Sequence, residues 1–257
     1  MVRYQVVRLI AAVMLALGPG FGAQARGLVA AASDMQFVMP DLVAAFGATG
    51  GGEVEVVFGS SGNLTRQIQQ GAPHELFLSA DEAYVVRLEE AGLTDGAGVI
   101  YAEGRLSLFV PEGSGIGADF AAFEAALAAG GVARFAIANP EHAPYGLRAR
   151  EALEHRGIWE AVQPVLVLGE NVAQAARFAA SGNADGGLIA HSLALSPEMS
   201  ARGESVLVPA EWHSPLLQRM VLMRDAGDEA RAFYEWLQSD EAGDILAQAG
   251  FSVGAEE

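Results

Sequence analysis

Short apolar runs alternate with amphipathic helical patterns along this chain, and that alternation leaves few folds open. Gly27–Ala32 is apolar at nearly every position, as in a strand buried on both faces. Ser33-Asp34 follows, and Met35, Val38, Met39, Leu42, Val43 and Phe46 then recur at intervals of three and four, one face of a helix. Pro40 conflicts with that pattern: either it kinks the helix, or the regular helix begins near it after a looser first turn. A glycine-rich turn leads to the alternating run Val54–Phe58, then to a short helix with Leu64 and Ile68 inward, stopped by Gly71-Ala72-Pro73. Leu76–Ala80 reads as a third strand, and Asp81-Glu82 open a helix facing inward through Tyr84, Val85, Leu88 and Ala91. Further strands are expected at Arg105–Val110, Arg134–Ala138, Val165–Leu168, Leu188–Ala190, Val206–Val208 and Met220–Met223. Helices are expected over Asp119–Ala129, from Leu147 to Leu153, and over Asn171–Ala180, Glu229–Leu237 and Glu241–Ala249. Strand and helix in turn predict an α/β protein with mostly parallel sheets. In such sheets ligands sit where the carboxyl ends of strands meet helix N-termini.

The bulk composition narrows the partners. The 257 residues suffice for one large domain or two small ones, and 51% are apolar, enough for a real core. The net charge is −17, and all fifteen basic residues are Arg. That balance argues against nucleic acid and against a broad basic patch for anions. An anion would have to be held by discrete neutral donors. With no Cys there is no disulfide, thiolate metal site or Cys nucleophile. At the N-terminus, Arg3 and Arg8 precede an apolar run from Leu9 to Leu17, broken by Gly18-Pro19-Gly20. Ala23-Gln24-Ala25 then has the small-x-small form of a signal-peptidase site, so residues 1–25 read as a cleaved signal peptide. No Cys follows to take a lipid, and no other stretch is long and apolar enough to span a membrane. The mature chain is expected to be exported and soluble.

Chemistry gathers at the joints between strand and helix. Gly59-Ser60-Ser61-Gly62 joins a strand to a helix with two glycines, which let a ligand approach the backbone, and two hydroxyls. The opening turn of a helix also offers unpaired N–H donors. The same residues would equally make an ordinary Ser-capped turn, so the reading depends on matching loops elsewhere. Ser33 stands at the preceding joint, and Tyr145 and Val172 stand at two later ones. Other chemistries lack their residues. Asn63 breaks the G-x-S-x-G nucleophile elbow, and the absence of Lys excludes a Walker-type phosphate loop. His74, His142, His155, His191 and His213 show no metal-ligand spacing. No acid, base and nucleophile converge in any recognisable motif, so an enzyme is not expected.

Several segments together resemble the periplasmic molybdate-binding (ModA) proteins of bacterial ABC importers. They are Ala31-Ala32-Ser33-Asp34, Gly59-Ser60-Ser61-Gly62-Asn63-Leu64 with Gln67-Ile68 and Gly71-Ala72-Pro73, and Leu76-Phe77-Leu78-Ser79-Ala80-Asp81. Ala138-Asn139-Pro140-Glu141-His142-Ala143-Pro144-Tyr145-Gly146, Gly169-Glu170-Asn171-Val172 and Ala249-Gly250-Phe251 extend the likeness over nearly all the mature chain. The resemblance implies a two-lobed periplasmic binding protein of type II, α/β with a ligand cleft between lobes. Lobe one would be residues 26–103 plus 210–257 and lobe two 104–209, with crossings near Tyr101–Gly104 and Pro209–Trp212.

By the same resemblance, Ser33 and Ser61 are hydroxyl and amide donors to a tetrahedral oxyanion. Tyr145 gives an amide and in some members a hydroxyl, and Val172 gives an amide. Asp34 and Ser60 are possible further donors through their amides. Where some members supply a Tyr hydroxyl, this chain has Ala190, and Tyr145 is the candidate to replace it. Molybdate or tungstate is the implied ligand, with no cofactor. A permease and its ATPase are the implied partners of a monomer. The chemistry agrees: these dianions carry no proton at neutral pH, so they suit neutral N–H and O–H donors, whereas a buried carboxylate acceptor would repel them. Singly protonated phosphate wants one acceptor as well. A relative tuned to sulfate or phosphate is the nearest alternative, and an exported α/β hydrolase using Ser61 is the rival from another class.

Overall fold

The computed structural model describes residues 26–253. The expected signal peptide, residues 1–25, lies outside the described residues. Ten strands are described in chain order: β1 Gly27–Ala32, β2 Val54–Gly59, β3 Leu76–Ser79, β4 Val99–Gly104, β5 Leu106–Pro111, β6 Phe135–Ala138, β7 Leu166–Gly169, β8 Gly186–Ala190, β9 Gly203–Leu207 and β10 Leu216–Leu222. They form two five-stranded sheets, ordered β2-β1-β3-β10-β4 and β7-β6-β8-β5-β9. In the first, β1 pairs in parallel with β2 and β3, and β10 runs antiparallel to both β3 and β4. In the second, β6 pairs in parallel with β7 and β8, and β5 runs antiparallel to both β8 and β9. Each sheet is therefore mixed by pairing, yet four of its five strands point one way. Gly104–Leu106 carries the chain from the first sheet to the second, and Leu207–Leu216 carries it back.

The helices follow the joints read from the sequence: α1 Met39–Ala48, α2 Ser61–Gln69, α3 Glu82–Glu90, α4 Phe120–Ala128, α5 Pro144–His155, the short α6 Trp159–Val162, α7 Val172–Ala180, the short α8 His191–Ala194 and α9 Pro197–Ser200, then α10 Asp228–Trp236 and α11 Asp240–Gln248. Capping explains many starts. Asp81 accepts from the Ala83 amide, Asp119 from Ala122, Asn171 from Gln174 and Ser239 from Ala242. At Gly71 the chain takes φ +87°, the left-handed turn that ends α2. Pro40 lies in the first turn of α1, after a separate 3-10 turn at Ser33–Met35, so its missing N–H costs no helical bond.

Three expectations of extent are corrected. Val99–Gly104 forms β4, a strand absent from the sequence reading. Its burial is irregular, with Tyr101, Ala102 and Gly104 inward and Ile100 outward, so no clean alternation announces it. β9 begins at Gly203 rather than Val206, because it is an edge strand carrying the polar Glu204 and Ser205. β10 begins at Leu216 rather than Met220, its start hidden by Gln218 and Arg219.

Each sheet has its own core. Met39, Leu42, Phe46 and Phe233 pack beside the first, with Phe46 and Phe233 ring centres 5.0 Å apart. Phe109, Phe123, Phe135 and Ile137 pack around the second, with Phe123 and Phe135 4.5 Å apart. The registers then fix the site. Ala32 stands opposite Gly59 at the ends of β1 and β2, and Ala138 opposite Gly169 at the ends of β6 and β7. The loops that follow these four strand ends carry Ser33, Ser61, Tyr145 and Val172.

Candidate functional site

Those four loops meet. Ser33, Asp34, Ser60, Ser61, Tyr145 and Val172 line one cavity together with Ala80 and Pro144. Its free space is about the room one water needs. Ala190 is not among its lining residues: it is fully buried at the start of α8 and offers a methyl group. Wider clefts exist on the surface, but one of them is lined by Glu112 and Glu204 and by no converging helix ends.

The donors are of two kinds. Ser61, Tyr145 and Val172 each lie in the first turn of a helix of nine or more residues, α2, α5 and α7. Among the described residues their amides give no hydrogen bond, as expected for N–H groups with no carbonyl one turn earlier. Three helix dipoles thus turn their positive ends on one small volume. The second kind is hydroxyl. The Ser33 Oγ accepts from the Ala173 amide at 3.3 Å, and the Ser61 Oγ accepts from the Ala80 amide at 3.0 Å. An oxygen that receives an N–H keeps its own proton free to donate. Both serines are buried, which holds those protons in place.

Several bonds around the cavity join segments of the first sheet to segments of the second. The Gly62 amide donates to the His142 carbonyl at 3.0 Å, and Ser60 Oγ lies 3.0 Å from His142 Nδ1. Arg148 on α5 pairs with Asp81 before α3 at 3.0 Å, and Ser192 Oγ donates to the Asp34 carbonyl at 2.9 Å.

Beneath the cavity lies a polar network. Tyr101 on β4 donates to Gln218 Oε1 at 2.6 Å, and Gln218 Nε2 donates to Asp34 Oδ2 at 2.5 Å. The Tyr145 hydroxyl donates to the same Oδ2 at 3.0 Å and sits 3.2 Å from Gln218 Nε2. Burial pushes the Asp34 carboxyl up to about 6, against the pull of its Gln218 and Tyr145 donors. Burial, and then the Asp34 charge, hold Tyr145 and Tyr101 well above 10. The Tyr145 hydroxyl, expected as a substitute donor at the cavity, is therefore engaged with Asp34.

Sequence reasoning missed Gln218, His142 and the carboxyl role of Asp34. Only Gln218 left a signal, as a polar residue inside an apolar run. A hydrolase built on Ser61 finds no support in the geometry. His142 stands beside Ser60 rather than Ser61, and among the described residues no carboxylate orients its ring.

Two mixed sheets joined by two crossings, with neutral donors from both at their meeting point, define a two-lobed solute-binding protein. The chain belongs to the bacterial extracellular solute-binding proteins, whose family model matches residues 28–252. Among its relatives is the molybdate-binding protein ModA of Rhodobacter capsulatus, 34% identical over 88% of this chain and 89% of that one. ModA of Azotobacter vinelandii is 32% identical over 93% of this chain and 96% of that one. The solved periplasmic molybdate-binding protein of Azotobacter vinelandii superposes with a TM-score of 0.80, at 30% identity, over 89% of this chain and 99% of the other. These relatives are solute-binding proteins rather than enzymes.

Proposed function

We propose that this chain captures molybdate, and tungstate with it, outside the cytoplasm and delivers it to an ABC importer. The observation that carries the reading is the convergence of free amides from α2, α5 and α7 with the Ser33 and Ser61 hydroxyls on one buried cavity. The names and identities of the relatives support the choice of cargo. In this reading Ser33 and Ser61 donate through their hydroxyls, and Ser61, Tyr145 and Val172 through their amides. The amides of Asp34 and Ser60 are secondary donors, and Ala190 contributes none. Every contact is to an oxygen of the anion; no atom of the chain touches the metal centre.

Capture works by closure. Lobe one, residues 26–103 plus 210–257, and lobe two, 104–209, part to admit the anion. The anion then bridges them, because its oxygens need donors from both. A ligand with donors in only one lobe would not shift that equilibrium. The closed form is what a permease and its ATPase would receive. The mature protein acts as a monomer in the periplasm after residues 1–25 are removed. Sulfate has the same charge and shape but is smaller, so the fit of the cavity must separate the two.

Thermal unfolding of residues 26–257 with molybdate, tungstate, sulfate and phosphate in turn tests the reading. Free ligand at about one hundred times its dissociation constant stabilises by roughly 2.7 kcal/mol, a rise of about 5–10 °C for a chain of this size. A rise with molybdate and tungstate alone is expected. A rise with sulfate or phosphate alone would move the cargo, and no rise with any of them would remove the reading.

A further inference from the structure

A buried carboxylate at the site of a dianion is a contradiction that the structure has to resolve. Asp34 lines the cavity, is 1% exposed, and follows Ser33 directly in the chain. Its Oδ2 already receives Gln218 Nε2 and the Tyr145 hydroxyl, while Oδ1 is buried with no hydrogen-bond partner among the described residues. Tyr101 fixes the direction of this network by holding the Gln218 oxygen, so the Gln218 amide has its NH2 aimed at Asp34. Any added proton therefore goes on Oδ1. An ionised carboxyl, even with the Asp34 and Met35 amides beside it, would meet an incoming dianion with like charge. A protonated Oδ1 is a neutral O–H that lacks only an acceptor, and an acceptor-only oxyanion supplies one.

We propose that Asp34 takes up one proton from solvent as the oxyanion binds, so that its carboxyl serves the cavity as a neutral hydrogen-bond donor and capture tightens as pH falls. The inference rests on the oxyanion-binding reading above and specifies its proton balance. A dianion and one proton enter together, and the net charge added to the closed protein is −1. The charge state of the carboxyl also becomes a selector. A fully deprotonated dianion is accepted when Asp34 carries the proton, whereas a singly protonated anion such as hydrogen phosphate would instead need Asp34 ionised.

No neighbouring charge offers another account. The titratable groups that face Asp34 are Tyr145 on α5 and Tyr101 on β4, both neutral across the range of interest. Arg177 on α7, His191 on α8, Glu55 on β2, Glu103 on β4, Arg148 on α5 and Arg219 on β10 belong to the packed elements, and none forms a hydrogen bond or ion pair with Asp34. His142 at the cavity rim meets Ser60 Oγ through its Nδ1 and makes no bond to Asp34.

The affinity of residues 26–257 for molybdate, followed by calorimetry from pH 6 to pH 8, tests the proposal. The competent fraction at pH 8 is smaller in proportion to the deprotonated carboxyl, so binding is expected to weaken roughly fiftyfold to a hundredfold over that range. At pH 7.5, titrations in two buffers of different ionisation enthalpy should report uptake of about one proton per molybdate. Asp34→Asn should abolish both the slope and the proton uptake, and His142→Gln should keep both. Molybdate binding with no proton uptake in the parent protein overturns the proposal without any variant having to fold. So does a slope that survives Asp34→Asn and disappears in His142→Gln. Absence of binding by every oxyanion would overturn the function reading along with it.

Discussion

Gly62→Ala separates closure of the lobes from the donors themselves. Gly62 is the second residue of α2 and lies against the loop before α5. A Cβ built there would stand 2.6 Å from the His142 carbonyl oxygen and 3.1 Å from the His142 Cα and Cβ. The same carbonyl accepts the Gly62 amide at 3.0 Å. A backbone carbonyl cannot swing aside as a long side chain can, so the loop has to withdraw and that hydrogen bond lengthens. Overpacking costs about 1–3 kcal/mol and a lost hydrogen bond about 0.5–1.5. Together they place about 1.5–4.5 kcal/mol on the closed arrangement alone, a loss of roughly tenfold to about two-thousandfold in molybdate affinity. With the lobes parted neither contact would form, and Ala favours helix over Gly by about 1 kcal/mol. The unliganded variant should therefore melt at or above the parent temperature. Calorimetric titration beside thermal unfolding reads both quantities. A Gly62→Ala variant that binds molybdate within about threefold of the parent would refute the reasoning, since the His142 contact would then not belong to the bound state.

Other perturbations probe single parts. Ser61→Ala removes one hydroxyl donor and leaves the Ala80 amide without its partner, so molybdate affinity should fall by about 1–3 kcal/mol with the fold retained; an unchanged titration would remove Ser61 from the donor set. Asp81→Ala loses the cap of α3 and one of the two carboxylate partners of Arg148, so stability should drop by about 1–2 kcal/mol in urea unfolding. A midpoint equal to the parent's would count against both roles. Asp34 also makes the fold itself pH-sensitive. Its carboxyl is raised from 3.8 to about 6 when buried, so its contribution to stability is full below 3.8 and is lost as pH rises through about 6. That difference is about 3 kcal/mol at most. Urea unfolding at pH 4.5 and pH 7.5 should show the stability difference between the parent and Asp34→Asn moving toward the variant at the higher pH. A difference independent of pH would contradict it.

Much of this is legible in the chain because local signals and tertiary role coincide. The run Gly27–Ala32 is apolar because β1 is central, flanked by β2 and β3. Ser33 and Ser61 follow strand ends that the parallel register sets side by side. Asp81, Asp119 and Asn171 cap the helices they precede, as side chains of that type do. What escapes is set by contacts distant in sequence. β4 is a strand because β10 pairs with it more than a hundred residues later, and its own alternation is weak. Gln218 reads as a break in an apolar run until Tyr101, Asp34 and Tyr145 are seen around it. Asp34 reads as a helix-start residue, and only its complete burial turns it into a titratable part of the site. Tyr145 can be located in the chain at a strand-to-helix joint, but the direction of its hydroxyl depends on a carboxyl 111 residues away.

The most direct test of the central claim is a crystal structure of residues 26–257 grown with molybdate, with data collected on both sides of the molybdenum absorption edge. Anomalous scattering locates the metal without reference to the protein chain. The account predicts one strong peak per molecule, surrounded by oxygens within hydrogen-bond distance of Ser33, Ser61, and the amides of Tyr145 and Val172. A peak elsewhere on the surface, or no peak in crystals soaked well above the measured dissociation constant, would contradict it.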